Sequence, residues 1–77
     1  HSISFYPNPA TENVTIEMEK WQNKQIELYD ATGRAVLRQS IGSSKENMAV
    51  GHLPRGVYVV VVREKGIAVG RRKLVLR

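Results

Sequence analysis

The 77-residue chain contains no cysteine. That absence excludes disulfides, zinc–thiolate sites and thiol nucleophiles, so a fold this small must hold together by its core alone. Histidine occurs only as His1, at the terminus, and His52, in a loop between strands, and a lone loop histidine is ordinarily solvated rather than a ligand or a catalytic group. Aromatic residues make up 6% of the chain, and none falls between residues 59 and 77. No apolar stretch approaches the roughly 18 residues that a membrane-spanning helix needs. The longest, Val57 to Val62, is strand-sized. Helical periodicity is also missing: apolar residues recur at every second position and never persistently at every third and fourth.

What remains is ordinary globular material, 42% hydrophobic and 25% charged, with room for one domain over residues 1–77 and a thin core. A chain of this length buries only about 60% of the surface that its unfolded form exposes. His1 and Ser2 read as a tag or linker remnant. No basic-then-apolar signal segment opens the sequence, so any export is expected to start from a leader elsewhere on a longer precursor.

Period-two alternation predicts strands throughout. Val14, Ile16 and Met18 alternate with Thr15, Glu17 and Glu19, giving one dry and one wet face. Ile26 and Leu28 are expected inward and Glu27 outward. Asp30-Ala31-Thr32-Gly33-Arg34 then reverses the chain, with Asp30 accepting from the turn backbone and Gly33 free to take positive φ. Val36 and Leu37 are adjacent and cannot both face one core from a regular strand, which predicts a bulge or a two-sided contact. Met48 and Val50 mark a short strand. Val57 to Val62, valine at five of six positions, predicts a central strand apolar on both faces. Glu64-Lys65-Gly66 makes a tight turn into a last strand, Ile67 to Arg77, in which Gly70 marks a bulge or bend. About seven mostly antiparallel strands with turns every eight to twelve residues describe an all-β, immunoglobulin-like sandwich of two sheets.

Charge is distributed unevenly. Residues 1–62 balance six basic against six acidic side chains, whereas residues 63–77 carry six basic residues against Glu64 alone. Such a cluster suits a solvated strand face, a protected sheet edge, a nucleic-acid patch or a surface read by a receptor. Nucleic-acid binding on a β-surface needs aromatics interleaved with the charge, and here there are none, so no nucleic-acid partner is expected. Glu17, Glu19 and Glu27 are explained as outward strand positions rather than as a catalytic pair. No catalytic residue, metal ligand or cofactor site is expected. Asn13-Val14-Thr15 fits a glycosylation sequon but lies inside a strand pattern.

Four blocks are more specific. Phe5-Tyr6-Pro7-Asn8-Pro9-Ala10 breaks the first strand. Ile26-Glu27-Leu28-Tyr29-Asp30-Ala31-Thr32-Gly33-Arg34 carries a D-x-x-G-R turn. Leu53-Pro54-Arg55-Gly56-Val57-Tyr58 has the spacing of a tyrosine corner, in which a Tyr hydroxyl bonds the preceding loop. Lys73-Leu74-Val75-Leu76-Arg77 is a basic and apolar strand. In this order, the blocks resemble the C-terminal sorting domain of type IX secretion, over nearly the whole chain.

That resemblance implies a seven-stranded sandwich at the end of cargo exported by Bacteroidetes. It implies recognition in the periplasm by shuttle and translocon proteins, passage through the outer membrane, and removal at the cell surface by a sortase-like cysteine protease. The parent cargo would lie N-terminal to this chain, with the cut upstream of Ile3, and the strand ending at Arg77 would be read as a terminus. Lys73, Leu74, Val75, Leu76 and Arg77 would form the recognition signal, with Arg71 and Arg72 as an adjoining basic patch. Pro7, Asn8 and Pro9, Asp30 and Gly33, and Gly56 and Tyr58 would be structural motif positions. The expected mechanism is capture of the last strand at an open sheet edge by β-augmentation, an edge equally available to a second copy in weak dimers. The rival reading is an adhesive or carbohydrate-binding module on a secreted enzyme, for which only Trp21 and Tyr29 offer aromatic surface.

Overall fold

A computed structural model describes residues 3–77, so His1 and Ser2 lie outside the described residues. Seven strands and no helix are present among them: β1 (Ile3–Tyr6), β2 (Asn13–Met18), β3 (Lys24–Tyr29), β4 (Ala35–Ser40), β5 (Lys45–Ala49), β6 (Gly56–Glu64) and β7 (Ile67–Leu76). They form a three-stranded sheet in the order β1-β2-β5 and a four-stranded sheet in the order β4-β3-β6-β7. Every strand pair is antiparallel. The chain crosses between sheets after β2, β4 and β5, which makes the immunoglobulin-like sandwich that the alternation predicts.

The core follows directly from the alternation. Val14, Ile16 and Met18 of β2 and Met48 of β5 face Ile26 and Leu28 of β3, Tyr58, Val60 and Val62 of β6, and Leu74 and Leu76 of β7. Each fully buried Leu or Ile contributes about 2–3 kcal/mol. Val50, Leu53 and Ala10 close one end of this core from the loops.

Turn chemistry sets the registers. Asp30 Oδ1 accepts from the Thr32 amide at 3.0 Å, the Thr32 hydroxyl at 2.6 Å and the Arg34 amide at 3.0 Å. Gly33 takes φ of 89° beside it, a conformation that costs an L side chain energy and glycine nothing. These bonds, the Thr32 hydroxyl foremost, hold the Asp30 carboxyl below its ordinary range. Lys65 and Gly66 both adopt positive φ, 51° and 85°, as a two-residue hairpin between Glu64 and Ile67 requires.

Both expected irregularities occur. Leu28 pairs Leu37 while Tyr29 pairs Ala35, so Val36 is the extra residue of a bulge. The bulge lets Val36 and Leu37 both pack against the core. Val62 pairs Gly70 while Arg63 pairs Ala68, which bulges β7 at Val69.

Two expectations need correction. β6 is an interior strand, but its outward face is only partly covered: Val61 is buried there, whereas Val57 and Val59 remain exposed, because a two-layer sandwich has no third layer to put over them. Glu27 points outward but is buried, enclosed by the side chains that neutralise it.

Candidate functional site

The terminal block is embedded in the sandwich through its leucines. Leu74 and Leu76 are fully buried, paired across the ladder with Tyr58 and Gly56. The Tyr58 hydroxyl donates to the Pro54 carbonyl four residues upstream, which is the tyrosine corner that the spacing predicts. Gly56 enters β6 at φ of 147°, open to glycine and strained for other residues. The L-x-x-G-x-Y block and the terminal block are thus the two strands of one ladder.

β7 is an edge strand, as expected, but its C-terminal half is not open. The Asn8 carboxamide donates to the Lys73 carbonyl at 2.9 Å and accepts from the Val75 amide at 3.1 Å. With one donor and one acceptor side by side, it substitutes for a backbone unit of an adjacent strand. Ala10 continues the pairing: its amide donates to the Val75 carbonyl at 2.8 Å, and its carbonyl accepts from the Arg77 amide at 2.9 Å. Pro7 and Pro9, each preceded by a cis peptide bond, have no N–H to present outward. Capture of the Lys73–Arg77 edge by an incoming strand therefore requires displacing residues 8–10. Among the described residues, no backbone group pairs with the outer edge along Ile67–Arg72, the bulged half, although the Ile3 side chain packs beside Gly70.

Arg55 ties this end together. Its guanidinium donates to the carbonyls of Thr11 at 2.6 Å, Val50 at 2.8 Å and Leu53 at 2.6 Å, and reaches the Arg77 backbone oxygen at 3.5 Å. A signal for it does exist in the sequence: the one cation inside a Pro-Arg-Gly loop is a natural donor to carbonyls that no ladder satisfies.

The basic residues of β7 do not share a face. Lys73 pairs Val59 and Arg71 pairs Val61, so both lie on the outward face of the four-stranded sheet. Arg72 pairs the buried Val60 and projects to the other side, where it is exposed because β7 is the outermost strand. The D-x-x-G-R turn reaches this outward face from β3: Asp30, Ala31 and Gly33 line a concavity with Val57, Val59, Val61 and Arg71.

The carboxylates on this face are already engaged. Glu27 binds Arg63 at 2.6 Å and Arg38 at 3.0 Å and accepts from the Tyr29 hydroxyl at 2.7 Å. These partners, Arg63 first, lower its pKa from 4.5 to about 2. Asp30 pairs Arg34 at 3.4 Å in addition to its turn bonds. Among the described residues, no carboxylate lies within ion-pair distance of Arg71 or Lys73.

Three of the four sequence blocks thus converge on the terminal strand, and the fourth borders its outward face. The family model for the secretion system C-terminal sorting domain matches residues 4–77. The chain belongs to that family. A sorting domain is a signal of type IX secretion, and membership implies export to the cell surface. No curated protein matches the chain. Of the two aromatics on which a sugar-binding reading would rest, Trp21 is half-buried against the core, and the Tyr29 hydroxyl donates to Glu27. Among the described residues, no group of three or more His, Cys, Asp or Glu side chains is placed to hold a metal ion.

Proposed function

We propose that this sorting domain is read as a folded ligand in the periplasm and carries an N-terminally fused cargo through the outer-membrane translocon. A sortase-like cysteine protease then cuts upstream of Ile3, leaving the cargo at the surface or in the medium. The observation that carries this reading is the convergence of the Y-P-N-P-A, L-x-x-G-x-Y and K-L-V blocks on one closed strand. A merely adhesive module has no need to invest three motifs in fixing its last five residues.

In this reading the signal divides by face. Leu74 and Leu76 anchor the strand, and Val75 lies in the ladder facing Val57. Asn8 between Pro7 and Pro9 closes the edge, Gly56 and Tyr58 fix the partner strand, and Asp30 and Gly33 shape the neighbouring turn. Arg71 and Lys73 are left for the shuttle and translocon to contact, with Arg77 at the strand's end and Arg72 on the opposite side. Weak pairing between copies is confined to the open Ile67–Arg72 half of the edge.

The test is fusion of residues 1–77 to an inert periplasmic reporter in a bacterium with a working type IX system. The reporter is expected at the surface or in the medium, shortened by the domain. Deleting residues 73–77 is expected to retain it in the periplasm. Surface delivery without the last five residues contradicts the reading.

A further inference from the structure

We infer that the outward face of the four-stranded sheet, between the β3–β4 turn and β7, docks an extended polypeptide segment that is both apolar and acidic. The inference rests on the sorting reading only for where that partner stands, within the export machinery.

Inward, Tyr58, Val60 and Val62 of β6 are sealed, yet outward Val57 and Val59 are 48% and 37% exposed. Single exposed valines are commonplace. These two are successive outward positions of an interior strand, on the floor of a concavity of about 440 Å³ walled by Asp30, Gly33 and Arg71. Side chains on one face of a strand repeat about every 7 Å, so an extended segment laid along β6 presents apolar groups at the matching interval.

Charge selects the rest of the partner. On this face Glu27 is held by two arginines, and Asp30 by its own turn and Arg34. Lys73 lies opposite Val59 and Arg71 opposite the buried Val61, and among the described residues neither has a carboxylate in ion-pair reach. An apolar stripe beside an uncompensated cationic rail is complementary to a segment that carries, on one and the same face, apolar side chains followed by carboxylates. An anionic lipid surface matches the rail but cannot enter the concavity, and an acidic polysaccharide brings no side chains for the valines.

The test titrates the isotope-labelled 77-residue chain with a synthetic ten-residue peptide, Val-Ser-Val-Ser-Val-Ser-Glu-Ser-Glu-Ser, whose valines and glutamates share one face when extended, followed by amide shifts. Its Val–Lys counterpart and phosphatidylglycerol vesicles run in parallel. Shifts are expected in residues 57–61 and 71–73 and in the Asp30–Gly33 turn, with no binding of the Val–Lys peptide. Val59→Glu alone, and Arg71→Glu with Lys73→Glu, should each weaken binding by roughly tenfold or more while the melting temperature holds.

Shifts at the Ile67–Gly70 edge, equal binding of both peptides, preference for vesicles, or self-association through the same face each overturn the proposal. A reporter fusion separates it from the sorting reading. If the unaltered chain exports the reporter and the double glutamate variant exports it equally well, this surface is wrong and the sorting reading stands. If the unaltered chain exports nothing, the sorting reading falls and the titration alone decides the surface.

Discussion

The two halves of β7 are built on opposite principles. From Lys73 to Arg77 the strand is pinned on three sides: leucines in the core, β6 along one edge, and Asn8 and Ala10 along the other. From Ile67 to Arg72 it is bulged and basic and, among the described residues, unpaired along its outer edge, with Ile67 and Val69 69% and 47% exposed. An unprotected flat edge invites promiscuous pairing, and the chain avoids one by two routes: a proline-flanked cover on the signal half and a bulge with charges on the other. The lesson is that the terminal block is not loose chain awaiting capture. It is a strand held on three sides, and what it leaves uncommitted is its side chains other than the leucines.

This contrast can be broken at several points. Leu74→Ala should have the largest effect, lowering stability by about 2–5 kcal/mol, since it leaves a cavity in a thin core. Chemical denaturation measures it, and a loss as small as at an exposed site would remove the distinction between halves. The acid limb sharpens the picture from β3, on the far side of β6. The folded-state pKa of Glu27 is lowered to about 2 from 4.5, so its stabilisation is full above pH 4.5 and is lost as pH falls through about 2. Glu27→Gln should reduce stability at neutral pH and flatten the drop between those values in pH-dependent melting.

Asn8→Ala removes two hydrogen bonds from an exposed position and should cost about 1–2 kcal/mol. It should also speed hydrogen exchange of the Val75 amide while leaving the Leu74 amide, paired to β6, much slower. Unchanged Val75 exchange would show that the cover does not hold the edge. Ile67→Thr, in the open half, should shift stability by no more than about 0.5 kcal/mol.

Much of this architecture was legible in the sequence, for identifiable reasons. Alternation in β2 and β3, the Asp30–Gly33 turn, the Lys65-Gly66 hairpin and both bulges follow from local rules that act over a few residues. The tyrosine corner was legible because its hydrogen bond spans only four positions. The closure of β7 was not, because Asn8 and Lys73 lie 65 residues apart and no periodicity marks a side chain that imitates a backbone. Glu27 was read as a solvated outward carboxylate, since Arg38 and Arg63 meet it only through cross-strand register. The division of Arg71 and Lys73 from Arg72 follows from simple alternation, but a count of charge by segment conceals it.

The most direct measurement is export of a periplasmic reporter fused to the domain when Arg71 and Lys73 are both replaced by glutamate. The account predicts a domain that melts within about 2–4 °C of the unaltered one, a change of at most about 0.5 kcal/mol, and a reporter that stays in the periplasm. Normal delivery by that folded variant would mean that the outward side chains of the terminal strand are not what the export machinery reads.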